Sequence, residues 1–333
     1  VNYAKIVKNN VTFHFLRREP YNFAHLYFYF PGILRIRDLI RQINPDIVIG
    51  FGTDEPYGWE AAYCGKPYII YTQGIINTLV PWLNWSPARK RLIQLMEKKI
   101  IAGAAGIIAE NEFVQKWILS NPAVNGVVTV IPNCLQDFFV NTPTPSEKRK
   151  KEIWCIGELS KLKDPETILR SFINVQIPDA SLHFAGKGPL EKKLKKIVMT
   201  TGIADKCIFH GFIPQEKLAD CIYNTTALVL ASHMDSSPNS IIESLAVGTP
   251  VIATDVGGIP FIVQDGTDAI LVPPGNYEKM ASAMRNLLLH PDLTHRMGMA
   301  GRQRVLAKHS PSKIAQMHLD FYQTIVDKKN NSK

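Results

Sequence analysis

The sequence of 333 residues has room for two domains of ordinary size, each with its own core. A hydrophobic share of 46% and a charged share of 20% exclude a disordered chain, and no run approaches the roughly 18 apolar residues of a membrane-spanning helix. Basic residues outnumber acidic ones by 38 to 29, and the net charge of +9 suits anionic partners: nucleotide phosphates, an anionic membrane face or nucleic acid. The five cysteines (Cys64, Cys134, Cys155, Cys207, Cys221) are odd in number, scattered and without a CxxC spacing. That argues against a disulfide framework or zinc site and for a reducing, cytoplasmic compartment. The apolar stretches 23–34 and 100–109 are short and broken by His25, Pro31 and glycines. The sequence opens on Val1 with no signal-peptide pattern behind it and reads as a fragment.

In chain order, residues 11–16 alternate weakly and predict a strand, and Pro31 predicts the first turn of a helix running to Asn44. A continuous apolar strand at 46–51 precedes a helical stretch at 57–64, and 67–72 is the next strand. A basic helix at 89–101, a strand at 106–109, a helix at 112–119 and a strand at 127–131 follow. Strands alternating with helices predict a parallel sheet covered on both faces.

Residues 141–152 are polar, charged and proline-bearing, and read as a linker. A second alternation then begins: strands at 153–156, 181–185, 207–210, 226–230, within 249–256 and 268–272, with helices between and after them. Ser310-Pro311 caps a last helix with Ile314, Met317, Phe321 and Ile325 at helical spacing. The expected organisation is therefore a first domain at 1–140, the linker, a second domain at 153–309 and a final helix at 310–333. Two doubly wound α/β domains with a ligand cleft between them are the natural assembly.

The most informative stretch is 231–260, ASHMDSSPNSIIESLAVGTPVIATDVGGIP, read as strand end, loop, helix, strand and Gly-rich loop. The helix opening near Asn239-Ser240 leaves backbone N–H groups and a positive dipole end free for a phosphate. Asp235 and Glu243 flank that site, and carboxylates there are suited to accept hydrogen bonds from hydroxyls. Phosphate and polyol together point to a sugar nucleotide.

Asp235-x7-Glu243, with PNSIIE, GTPVIATDVGGIP and LVPPG around it, resembles the retaining glycosyltransferases of family 4. The likeness runs from about Pro45 to the C-terminus and is stronger in the second half. The family hallmark is Glu-x7-Glu, so Asp235 is a departure at the first position. The resemblance implies the GT-B architecture, with two Rossmann-like domains facing a cleft and the final helix crossing back to the first domain. It also implies a first domain that is N-terminally truncated here, since the family's first Gly-rich loop is absent.

By the same resemblance, Gly157, Leu159 and Lys163 match the loop that holds the donor diphosphate, but Glu158 stands where the family has Arg. A carboxylate about 5 Å from phosphate would cost roughly 3 kcal/mol at an effective dielectric of about 20, so either Glu158 turns away, with Lys161 or Lys187 standing in, or the enzyme is impaired. Gly186 and Gly188 match the family's GxGP turn, and Ser237, Asn239 and Ser240 fall at the phosphate-binding helix start. Gln73-Gly74 stands where the family commonly has His-Gly facing the donor sugar; Gln73 can bond a hydroxyl but cannot carry a proton. The bland readings are that these glycines make turns, that Lys163 is a solvated lysine and that 240–247 is a core helix.

Trp82, Trp85, Arg89, Lys90, Arg91, Lys98 and Lys99 make a basic, aromatic-flanked stretch, which suits a peripheral contact on an anionic membrane or simply a solvated helix face. No nucleic-acid module accompanies the charge, and neither His spacing nor an Asp-x-Asp indicates a metal. The expected function is therefore a metal-independent, retaining transfer of a hexose-type sugar from a nucleotide-diphosphate donor to a glycan or lipid-linked acceptor. Lys163, Asp235 and Glu243 carry it. The alternatives are a nucleotide-sugar epimerase of the same fold and a catalytically silent sugar-nucleotide-binding protein.

Overall fold

A computed structural model of the chain describes residues 3–8, 11–16, 30–53 and 56–331. His25 and the 23–29 part of the first apolar stretch lie outside these residues. Two strands, β1 (Tyr3–Lys8) and β2 (Val11–Leu16), pair antiparallel with Tyr3 opposite Leu16. They form their own two-stranded sheet, which the weak alternation of 11–16 did not reveal.

The first domain's main sheet holds β3 (Val48–Phe51), β4 (Tyr68–Tyr71), β5 (Gly106–Ala109) and β6 (Val127–Val130), all parallel and in sequence order. β4 and β5, YIIY and GIIA, are buried along their whole length. That is why they read as unbroken apolar runs. Helices between them start where polar caps stand: Ser86 accepts from the Arg89 amide before Pro87–Ala102, and Asn111 from the Val114 amide before Glu112–Leu119.

The second sheet is six-stranded and parallel: β7 (Lys150–Ile156), β8 (Ser181–Ala185), β9 (Cys207–Gly211), β10 (Thr225–Leu230), β11 (Val251–Thr254) and β12 (Ala269–Val272). Their spatial order is β12-β11-β10-β7-β8-β9. The chain starts at the centre, runs out to β9 and returns to β10 on the other side of β7. The loops leaving β7 and β10 therefore diverge and open a crevice at the carboxyl ends of these two strands.

The stretch read as a linker is shorter than expected. β7 begins at Lys150, and Leu135 and Phe139, assigned by sequence to the first domain, lie in the second domain's core beside Trp154, Leu228 and Ile242. Apolar residues there were available to either core, and only tertiary packing assigns them.

The last helix, Pro311–Asn331, lies against the first domain's sheet. Ile314, Phe321 and Ile325 pack with Ile69, Tyr71, Ile108 and Ile131. Gly106 makes the approach possible: a Cβ there would meet Phe321 and Ile325 at 2.9 Å. Each of these three side chains contributes roughly 1.5–3 kcal/mol by burial.

Candidate active site

The carboxyl ends of both sheets face one another. From the first domain come Gln73-Gly74 after β4, Glu110 after β5 and Asn133 after β6; from the second come the loops after β7, β8, β10 and β11. Direct bonds cross the cleft. The Asn111 amide donates to the Ser236 carbonyl at 2.5 Å, and the Asn133 amide donates to Asn239 Oδ1 at 2.7 Å and to Ser237 Oγ at 3.3 Å. Trp82 stacks on His233 with centroids 4.5 Å apart.

At the crevice between β7 and β10, Lys163 Nζ donates to Asp235 Oδ2 at 2.5 Å. Sequence reasoning gave these residues separate tasks, and the fold joins them as an ion pair. Asp235 is 9% exposed, and its backbone carbonyl accepts from the Gly258 amide at 2.9 Å. Gly257 lies so close to this loop that a Cβ would strike the Asp235 carbonyl oxygen, and its φ of 55° suits glycine.

Glu243 sits in the helix Asn239–Ala246, 7% exposed, and accepts from Gln215 Nε2 at 2.5 Å. Burial pushes its carboxyl up, against the hydrogen bond from Gln215. Gln215 opens the helix Gln215–Ile222 after β9, and nothing in its sequence surroundings marked it. Pro238 gives the Asn239–Ala246 helix no side-chain cap; Asn239 is exposed and Ser240 half-buried at its start.

The glycine-rich turns behave differently from one another. The Gly157 amide donates to the Ala185 carbonyl at 3.0 Å and the Leu159 amide to the Lys187 carbonyl at 3.0 Å, so the loops after β7 and β8 are zipped together. A Cβ at Gly186 would run into the Gly157 carbonyl oxygen, and one at Gly188 into the Leu159 backbone. Gly186 and Gly188 are thus needed for loop-to-loop approach. A Cβ at Gly157 would meet nothing within 4 Å, so that side is open space. Glu158 is exposed and Lys161 and Lys187 are exposed as well. Gln73 is exposed at the end of β4.

Glu110 was not singled out by sequence, although an acid directly after the apolar run of β5 is a signal in itself. It is 5% exposed, and its Oε2 accepts from the Gly74 amide at 3.0 Å. Burial pushes its carboxyl up to about 8, the neighbouring Asp235 charge adding to the shift. Tyr71, on β4, donates its hydroxyl to Asn133 Oδ1 at 3.0 Å. Trp85 lies under Arg89, 4.3 Å away, and Trp82 stacks on His233, so the aromatics of the basic stretch are engaged within the chain. Among the described residues no helix is long and apolar enough to cross a membrane, and no three His, Cys, Asp or Glu side chains converge.

Two Rossmann-like domains with facing strand ends define a GT-B protein, and the comparisons with known proteins agree. Residues 140–304 match "Glycosyl transferases group 1" and residues 4–136 match "Glycosyltransferase Family 4". The chain belongs to the family 4 glycosyltransferases. A D-inositol 3-phosphate glycosyltransferase from Streptomyces griseus is 35% identical over 155 residues, 43% of this chain and 33% of the relative, so the match spans about a third of that protein. Among solved structures, a sucrose-phosphate synthase from Thermosynechococcus elongatus has a TM-score of 0.80 at 18% identity, covering 98% of this chain and 86% of that one. Anabaena Alr3699/HepE in complex with UDP has a TM-score of 0.73 at 15% identity, covering 88% and 82%.

Proposed function

We propose that the chain transfers a sugar from a nucleoside diphosphate sugar to an acceptor hydroxyl, with retention of configuration and without a metal. The observation that carries this reading is the Lys163–Asp235 pair at the crevice of the second sheet, facing the first domain across a closed cleft. That the Anabaena neighbour of the same fold is in complex with UDP supports a nucleotide ligand.

On this reading the donor diphosphate takes Lys163 from Asp235. The freed carboxylate then accepts from hydroxyls of the donor sugar. The anomeric C–O bond to the diphosphate breaks, with positive charge growing on the sugar and negative charge on the departing phosphate. Lys163 and the helix start at Asn239-Ser240, beside Ser237 and the open side of Gly157, stabilise that negative charge. A bond forms from the acceptor oxygen to the anomeric carbon, and the acceptor proton passes to the leaving phosphate oxygen. Glu243, steadied by Gln215, holds the ribose, and Gln73 offers its amide to a hydroxyl. A glycan or lipid-linked acceptor enters from the first domain's side. The exposed Arg91, Lys98 and Lys99 support a peripheral contact with an anionic membrane surface.

The test is incubation with a panel of nucleotide sugars and acceptors, following released nucleotide and product. Acceptor-dependent release of nucleoside diphosphate is expected. Isomerised donor, or binding of every donor without turnover, would overturn the reading.

A further inference from the structure

Buried acids in the first domain come in two kinds, and the contrast between them is informative. Glu97 is fully buried and saturated: it accepts from Thr53 Oγ1 at 2.7 Å, from the Ile76 amide at 2.8 Å, from the Asn77 amide at 3.1 Å and from the Asn77 side chain. It fastens the short helix Ile76–Leu79 to Pro87–Ala102 and is a structural carboxylate. Glu110 has the Gly74 amide at one oxygen, with the Asn133 amide in reach, and the Asp235 charge of the other domain acts on it. Beside it, Ser236 from the second domain is 6% exposed, and its hydroxyl has no partner. That hydroxyl lies 3.6 Å from where a Cβ of Gly74 would stand. A buried carboxyl bonded to the Gly74 amide and an unpartnered buried hydroxyl close to Gly74 therefore flank the same glycine, where the two domains' strand ends face each other.

Charge decides the form Glu110 takes. The charges that act on it are Asp235, after β10, and Tyr71, on β4, and the Asp235 carboxylate is itself paired with Lys163. A buried carboxylate with few hydrogen-bond donors and the charge of a second carboxylate acting on it is costly to keep ionised, so burial favours the protonated form over the pull of the Gly74 amide. Burial accordingly holds the carboxyl up to about 8. A neutral carboxylic acid has what Asp235 lacks, an O–H to donate. A sugar hydroxyl placed between them can give its proton to Asp235 and receive one at its oxygen from Glu110.

We propose that Glu110 touches the substrate as a neutral acid, donating a hydrogen bond to the oxygen of a sugar hydroxyl whose own proton is accepted by Asp235. The inference rests on the glycosyl-transfer reading of this cleft, and it assigns a specificity role to a residue of the first domain. The consequence is a site that works with Glu110 protonated and weakens as pH rises through about 8.

Three variants separate this from a structural role. Glu110→Gln keeps a donor that cannot titrate, Glu110→Ala removes it, and Glu97→Gln perturbs the saturated carboxylate elsewhere. For the parent, kcat/KM with UDP-glucose should be flat near neutrality and fall with an apparent pKa near 8. Glu110→Gln should stay within about fivefold of the parent at pH 7 and lose the alkaline fall, whereas Glu110→Ala should drop about tenfold or more, the scale of one hydrogen bond to substrate. Glu97→Gln should keep the alkaline fall. Persistence of the fall in Glu110→Gln, or a rate in the parent that rises with pH and vanishes in Glu110→Gln, would overturn the proposal. Carbon-13 NMR of the side-chain carboxyls of the unliganded parent supplies a readout independent of turnover. A signal absent from Glu110→Gln should titrate near 8, and a midpoint below about 6 overturns the proposal even if transfer is observed. Should the parent turn over no sugar nucleotide, the ratio of UDP-glucose to UDP affinity takes the place of kcat/KM. A ratio unaltered by Glu110→Ala then ends the proposal, while failure to bind either ends the reading it rests on.

Discussion

Lys163 Nζ and Asp235 Oδ2 lie 2.5 Å apart, one on the loop after β7 and the other on the loop after β10. The pair lies at the crevice of the second sheet, and on the proposed reading each partner must release the other before it can hold a substrate. Donor binding on this account is an exchange, in which diphosphate replaces Asp235 on Lys163 while sugar hydroxyls replace Lys163 on Asp235.

Asp235→Asn should therefore move two affinities in opposite directions. Free UDP should bind more tightly, since Lys163 no longer has a competing carboxylate, while the gain in affinity from an attached sugar should shrink. Calorimetric titration with UDP and UDP-glucose reads both. Weaker UDP binding in Asp235→Asn would remove the exchange.

Glu243 and Gln215 share a hydrogen bond of 2.5 Å in the buried part of the second domain. Glu243→Ala and Gln215→Ala should each weaken free nucleotide binding by about tenfold, the scale of one charge-assisted hydrogen bond. Unchanged UDP affinity in both would dissociate them from the ribose.

Glu158 is exposed and follows Gly157, at which a Cβ would meet nothing within 4 Å. Arginine at this position brings a bidentate phosphate donor and removes a like charge. Glu158→Arg should raise donor affinity or turnover by about tenfold, the scale of a charge-assisted hydrogen bond. A fall in both would show that Glu158 itself is used.

How much of this was legible in the sequence depends on the residue. The parallel sheets and the helix that starts at Asn239 could be read because apolar runs and turn residues are local signals. The hairpin β1–β2 could not, since its alternation is weak, nor could the place of Leu135 and Phe139, which only the packed core assigns. Gln215 and Glu110 escaped for the same reason: their partners, Glu243 and Gly74, are distant in sequence. The pairing of Lys163 with Asp235 also emerges only when the return from β9 to β10 brings their loops together.

Stability should carry the signature of Glu110 as well. Its native carboxyl titrates near 8, above the unfolded value near 4.3, so the native state binds more protons between these limits and loses up to about 1.4 kcal/mol per pH unit as pH rises. Glu110→Gln should melt higher than the parent at pH 8, with the difference shrinking toward pH 5. His309 works in the opposite sense: burial pushes it down to about 4 while its Nδ1–H donates to the Asn133 carbonyl at 2.7 Å, so its contribution is lost as pH falls from about 6.5 to about 4. A Glu110→Gln melting difference that is constant across pH would contradict the buried-acid assignment.

The final helix holds the first domain's sheet by three apolar anchors. Phe321→Ala should cost about 3–5 kcal/mol in chemical denaturation, whereas Leu319→Ala, on the exposed side, should cost little. Equal costs would mean that the helix does not bury Phe321 in solution.

The most direct test of the account is Lys163→Ala, measured by UDP titration and by sugar transfer in the presence of EDTA. The account predicts a parent that transfers sugar in EDTA, with the anomeric configuration of the donor retained in the product. It predicts a variant that loses about tenfold or more in UDP affinity and at least as much in rate. A parent that works in EDTA while Lys163→Ala leaves both UDP affinity and rate unchanged would place the diphosphate elsewhere and contradict the account.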